Sequence, residues 1–243
     1  MKSIIKLFSM SLLMLPFMAF GQTANENEIF IDQTGDTLTL SIDQIGYGNK
    51  VCGDLTSGVC SSDWSITGNS LTIDINQNGN LNSIIGPIVL DSSTLDMTFT
   101  GDSNVWDWNI GYIGSADSSD MLVNITGDSN TMDLDWGYAA SAERLDMDLT
   151  IVGDTNTFDV DLESDDITWN FDITGSGNSF ATSIKDGAYH STTFELTGDD
   201  ATVAINQWSG SCPTGINSCY SVLNATFNGD DATITINQKD TSD

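Results

Sequence analysis

Carboxylates are the residues of this chain best placed to do chemistry. Its 243 residues hold 35 Asp and Glu against 6 Lys and Arg and one histidine, a formal charge of −29. In one stretch the spacing is regular: Asp107, Asp133 and Asp159 recur at one constant interval, with Asp135 and Asp161 two positions on in the last two repeats. Carboxylates lined up in this way are candidate ligands for Ca²⁺, which takes oxygen donors; without a bridging cation or screening salt, a row of like charges is destabilising. Screening by ordinary salt is the competing reading. Catalysis finds little support. One histidine (His190), one arginine (Arg144) and no G-x-S-x-G or H-E-x-x-H leave few acid, base or nucleophile sets, and solvent-facing carboxylates are no evidence of a shifted pKa. The expectation is a non-enzyme without a cofactor, calcium being the one candidate ion.

The four cysteines form two close pairs, Cys52 with Cys60 and Cys212 with Cys219. Neither pair has C-x-x-C spacing, so an even count in an exported chain predicts two local disulfides rather than a metal site. Export is indicated by the N-terminus. Lys2 and Lys6 precede an apolar run from Leu7 to Phe20, and Ala19-Phe20-Gly21 offers a small-x-small cleavage site. Residues 1–21 therefore read as a signal peptide, 22–28 and 240–243 as flexible termini, and 29–239 as one folded unit. All 35 acidic residues but only four of the basic ones lie beyond the leader. Such a surface repels nucleic acid and anionic membrane, and no later apolar stretch predicts membrane insertion.

What positions the carboxylates is an internal repeat. A glycine ends an alternating segment at Gly35, Gly68, Gly101, Gly127, Gly153, Gly175, Gly198 and Gly229, with the longest intervals near both ends and the shortest around Gly175. Apolar residues stand two and four before it (Met97 and Phe99, Val123 and Ile125) and five and seven after it (Trp106 and Trp108, Met132 and Leu134). Period two on both sides predicts two strands per unit, each with one buried face. The turns "GDSN", "GDSN" and "GDTN" from Gly101, Gly127 and Gly153 are short and constant, whereas length variation falls after the second strand, where both cysteine pairs are expected. The predicted fold is all-β: a single β-solenoid of about eight two-strand coils, with a tight Gly-Asp-x-Asn corner on one edge and variable loops on the other.

Two polar columns follow from this alignment. Three positions after the glycine come Leu38, Leu71, Asn104, Asn130, Asn156, Asn178, Ala201 and Ala232, on the inward parity. Inward asparagines are costly unless each bonds to the layers above and below, as a ladder of identical side chains allows. Nine positions after it come Gln44, Gln77, Ile110, Trp136, Leu162, Ile184, Gln207 and Gln238, which places glutamine in the terminal coils. Trp64, Trp106, Trp108, Trp136 and Trp169 share the inward parity and are expected in the core; Trp208 is expected at the surface.

Glutamine, glycine at +2, asparagine at +5, an apolar residue at +7 and glutamine at +11 resembles the curlin repeat. Gln44, Gly46, Asn49 and Val51 match it, as do Gln77, Gly79, Asn82 and Ile84; Gln33, Gly35, Leu40 and Gln44 match with Leu38 in place of asparagine. The resemblance implies a β-solenoid that polymerises end to end into bacterial extracellular functional amyloid. Expected partners are further copies of the chain, related fibre subunits or a surface polysaccharide, outside the cell or at its surface. A monomeric acidic adhesion or calcium-binding module is the alternative.

Overall fold

The computed structural model describes residues 27–29, 31–54, 60–79, 82–102, 104–110, 118–137, 142–185, 189–209 and 220–240. The leader and the cysteines at 212 and 219 lie outside them. Among the described residues the protein is all-β, with no helix. Its strands are β1 (Asp32–Thr34), β2 (Thr39–Gly46), β3 (Ser65–Asn69), β4 (Thr72–Gly79), β5 (Ile85–Asp91), β6 (Thr94–Thr100), β7 (Val105–Ile110) and β8 (Ser119–Thr126), then β9 (Thr131–Trp136), β10 (Ala142–Val152), β11 (Thr157–Thr174), β12 (Ser179–Lys185), β13 (Tyr189–Thr197), β14 (Thr202–Ser209), β15 (Tyr220–Asn228) and β16 (Thr233–Asp240).

Every pairing between these strands is parallel, and each strand pairs with one a full turn of the chain away. The first sheet runs β1-β3-β5-β7-β9-β11-β12-β14-β16 and the second β2-β4-β6-β8-β10-β11-β13-β15. The long strand β11 serves both, pairing through Thr157–Glu163 in the first sheet and through its later residues in the second. The chain thus alternates between two stacked parallel sheets, a β-solenoid-like arrangement.

Alternation decides which side chains fill the space between the sheets. In β8 and β9 every second residue is buried: Met121, Val123, Ile125, Met132 and Leu134 are each at most 2% exposed. Burying such a side chain contributes about 1.5–3 kcal/mol. The five tryptophans expected inside are there, all at 1% exposure or less, and Trp208 is 41% exposed. Aromatic rings also stack from layer to layer, with Phe171 and Phe194 5.2 Å apart and 14° from parallel.

The structure corrects the glycine alignment. Gly35 and Gly68 do not share an edge with Gly101. Gly68 stacks on Gly35 and pairs in register with Leu90, whereas Gly101 stacks on Gly79, and Gly79 on Gly46. The true column is Gly46, Gly79, Gly101, Gly127, Gly153, Gly175, Gly198 and Gly229; Gly35 and Gly68 belong to the opposite edge. The cause is a half-repeat in the sequence. Gly35 to Gly46 and Gly68 to Gly79 each span one half-repeat, and Gly79 to Gly101 spans two. Both edges turn through a left-handed residue, and in the first two turns the opposite edge also places a glycine, Gly35 or Gly68, two positions before it. Thr37, Ser70, Ser92, Ser118, Arg144 and Asp166 form the left-handed column of one edge (φ 48–66°), and Ser129, Thr155, Gly177, Asp200 and Asp231 that of the other (φ 56–67°). The sequence pattern is therefore blind to which edge it describes.

The Cys52–Cys60 pair lies between β2 and β3, after the second strand that follows Gly35. Val51 N–H donates to the Ser83 carbonyl, and Ile66 is in register with Ile88, so more chain separates Val51 from Ile66 than separates Ser83 from Ile88 in the next layer.

Candidate functional site

The features that could carry function are the columns that run along the stack and the two places where the stack stops. The strictest column is glycine. A Cβ on Gly79 would lie 1.7 Å from the Gly46 carbonyl oxygen, and on Gly127 1.9 Å from that of Gly101. Each layer's backbone therefore touches the next at this edge, where only glycine fits. One residue on, the aspartates hold the layers in register. Asp102 Oδ1 accepts the Asp128 N–H at 2.9 Å, Asp128 that of Asp154 at 2.7 Å, Asp154 that of Ser176 at 2.6 Å, and Asp199 that of Asp230 at 2.8 Å. These carboxylates are structural acceptors, charge-assisted and solvent-facing.

Asn104, Asn130, Asn156 and Asn178 are buried at 1% exposure or less, in one column. Each rung is a side-chain carbonyl accepting the backbone N–H of the preceding asparagine: Asn104 N–H to Asn130 Oδ1 at 2.9 Å, Asn130 to Asn156 at 2.8 Å, Asn156 to Asn178 at 2.8 Å. The column begins earlier than the glycine alignment places it. Asn82 donates its N–H to Asn104 Oδ1 at 2.6 Å, and Asn49, buried like Asn82, occupies the layer before. Leu38 and Leu71 leave this column for the opposite edge, where Leu71 N–H meets Ser93 Oγ at 3.1 Å. The curlin-like spacing, which aligns Asn49 with Asn82, carried the register that the glycine list missed.

The glutamines divide in two for the same reason. Gln44 and Gln77 pair in the second sheet, where Gln77 Nε2 donates to Gln44 Oε1 at 2.6 Å and Phe99 follows in register. Gln207 and Gln238 pair in the first sheet and donate across the core to carbonyls of β15, Val222 at 3.4 Å and Ser221 at 2.5 Å. A single glutamine column does not exist. Gln44, Gln77 and Gln207 are buried and Gln238 is exposed.

The acidic residues singled out for calcium do line up along the first sheet. Asp107, Asp133 and Asp159 are successive register partners, and Asp135 partners Asp161. Asp133, Asp135, Asp159 and Asp161 alternate with buried core residues and so face outward. Adjacent strands place such partners ~4.8 Å apart. Among the described residues no group of three or more His, Cys, Asp or Glu converges to hold a metal ion. Burial pushes the Asp161 carboxyl above the usual range; Lys185 opposes the rise and Asp159 adds to it. On the second sheet, Asp146 is raised by burial and by the charges of Asp148 and Asp120. Asp120, Asp146 and Asp166 line an open depression of about 390 Å³ beside Arg144, which donates to Ser118 Oγ.

Cys52 and Cys60 are disulfide-bonded, with Cα atoms 5.8 Å apart. Beside the bridge, Lys50 reaches Glu28 at 3.6 Å, which ties the first described residues to the second layer.

The two ends differ from everything between them. At one end β1 and β2 each have a strand on one side only; at the other, β15 and β16 do. Their outer edges present rows of backbone donors and acceptors. At the β15–β16 end inward side chains surface too. Ile234 and Ile236 are 38% and 43% exposed, although their register partners Val203 and Ile205 are 1% and 0%. Comparison with protein-family descriptions, characterised proteins and solved structures finds no match to this chain.

Proposed function

We propose that this chain is a secreted structural protein, a curlin-like subunit that stacks end to end into an extracellular amyloid-like fibre or biofilm matrix at the bacterial surface. Each turn of the chain is one coil of a stack of about eight, with a tight glycine corner that reads Gly-Asp-x-Asn from Gly101, Gly127 and Gly153. The observation that carries this reading is the state of the two ends. Open sheet edges recruit further strands and are ordinarily blunted or covered. Here both sheets stop at strands paired on one side only, with the core isoleucines Ile234 and Ile236 of the last layer at the surface, while at the first end Asn27 Nδ2 donates to the Ile45 carbonyl of β2 at 3.4 Å. Another copy supplies the missing strands and removes those side chains from water. Main-chain hydrogen bonds provide the affinity, and the glutamines of the end layers, Gln44 and Gln238, provide the register.

The test is assembly of purified mature protein. Unbranched fibres by electron microscopy, with a reflection near ~4.7 Å along the fibre axis, are expected. Protein that stays monomeric through high salt and long incubation overturns the reading.

The in-register Asp107–Asp133–Asp159 and Asp135–Asp161 columns favour a second role, calcium bound along the acidic face in a subunit that acts as a surface-adhesion module. Calcium that evolves no heat in calorimetry and leaves the melting temperature unchanged removes it.

A further inference from the structure

The two sheets are unequal. Counting β11 in both, the first sheet has nine strands and the second eight among the described residues, so the stack begins and ends on the first sheet and holds an odd number of half-turns. A copy added without rotation sets its β1 on β16, but its β2 then lies two strand spacings from β15, and one layer of the second sheet is missing at the junction. A copy turned by half a revolution about the stack axis leaves no gap. Its β1 continues the second sheet over β15, and its β2 continues the first sheet over β16. Strand direction is preserved, because first-sheet and second-sheet strands run oppositely between the two edges and the rotation exchanges both.

We propose that successive subunits are related by this half-turn, so that β1 and β2 of one copy pair with β15 and β16 of the next; the inference rests on the end-to-end reading above.

The sequence at the two ends bears on the choice. The half-turn lays Gly35–Gln44, "GDTLTLSIDQ", on Gly229–Gln238, "GDDATITINQ", residue for residue. Gly35 falls over Gly229, where the column demands glycine: in every layer below, a Cβ at that place would sit about 2 Å from the preceding glycine's carbonyl oxygen, as at Gly229 itself over Gly198 (2.0 Å). Asp36 follows Asp230 in the corner ladder, and left-handed Thr37 (φ 66°) follows left-handed Asp231 (φ 57°). Leu40 and Ile42 cover the exposed Ile234 and Ile236. Gln44 then follows Gln238, joining the pair Gln207–Gln238 to the pair Gln44–Gln77 in one ladder across the junction. No like charges meet on the outer face of β2 and β16: Thr39, Ser41 and Asp43 lie over Thr233, Thr235 and Asn237. The resemblance that makes Gly35 look like a member of the Gly101–Gly229 column is wrong within one subunit and right between two.

Two double-cysteine variants separate the arrangements. Ser41→Cys with Thr235→Cys places thiols on exposed, outward positions that face each other only across a half-turn junction. Asp32→Cys with Asn237→Cys faces only across an unrotated one, since Gln33 and Gln238 share a register through the first sheet. Adjacent parallel strands bring such Cα atoms ~4.8 Å apart, within disulfide range. With the wild-type chain as background, mild oxidation of the assembled protein is expected to give a ladder of covalent multimers for the first pair and not the second. A ladder from the second pair alone, or equal ladders from both, overturns the half-turn while leaving end-to-end assembly standing. Fibres with neither ladder also overturn it and mean that another segment covers the ends. No fibres from the wild-type chain removes the underlying reading as well.

Discussion

The middle layers and the end layers use the same backbone and different side chains. Between Asn104 and Asn178 the core adds asparagine, tryptophan and phenylalanine to its aliphatic and methionine side chains, all almost wholly buried; Trp106, Trp136, Phe158 and Phe171 are each 2% exposed or less. In the last layer the corresponding positions are Ala232, Ile234, Ile236 and Gln238, all part- or fully exposed. Aromatic side chains bury the largest areas, so the middle makes the subunit stable on its own account. The last layer carries small and β-branched residues that the subunit leaves part- or fully exposed. Under the proposed assembly the contrast is a division of labour: stability is concentrated in the middle layers, and the surface left for another copy lies where burial is least.

Substitutions can break this contrast, and the largest effect belongs to the glycine column. Gly127→Ala puts a Cβ 1.9 Å from the Gly101 carbonyl oxygen on a backbone with φ 144°. Strain and overpacking together are expected to cost on the order of 4 kcal/mol, read as a lower midpoint in urea unfolding of the unassembled subunit. A wild-type midpoint would show that layers do not touch there.

The sharpest comparison is a matched pair. Ile205→Ala in the penultimate layer is expected to cost about 2–4 kcal/mol of subunit stability, whereas Ile236→Ala, at its register partner, costs less than about 1 kcal/mol. Fibre growth should rank them oppositely once stability is matched with denaturant, with Ile236→Ala the slower. Equal stability losses would mean that the end layer is already covered within the subunit.

Removing the bridge with Cys52→Ser and Cys60→Ser is expected to cost about 2–3 kcal/mol, from the chain entropy of a short loop. The bridge lies in the chain between Val51 and Ile66, so hydrogen exchange should quicken at those two residues and stay unchanged in β9. Exchange rising evenly over both regions would argue against a local role.

The smallest effect is on pH. Asp161 and Asp146 have folded-state carboxyls raised above their unfolded values, by burial first. The folded state therefore binds the proton more tightly, so their contribution is fully present below the unfolded value and is lost as pH rises through the folded one. Mild acidification from neutrality toward the carboxylate range is expected to raise the subunit's melting temperature slightly, and Asp161→Asn with Asp146→Asn should flatten that slope. A slope unchanged in the double variant would place its origin elsewhere in the acidic surface.

Much of this was legible in the residues because it depends on parity alone. Alternation along Trp106–Trp108, Met132–Leu134 and Phe171–Ile173 assigns each side chain to the inside or the outside of a strand, and that assignment needs no knowledge of which strand is the neighbour. The buried asparagines and the aligned aspartates follow from the same parity. Neighbour identity is another matter. Gly35 and Gly101 have similar surroundings in the chain, yet they lie on opposite edges, because the first two turns repeat the glycine corner at both edges. The division of the glutamines between two sheets is likewise decided by hydrogen-bond register between strands distant in sequence. Local sequence determined the strands, their buried faces and the corners between them; only the stacking of the whole chain decided which corner rests on which, since that choice is made by contacts a full turn away.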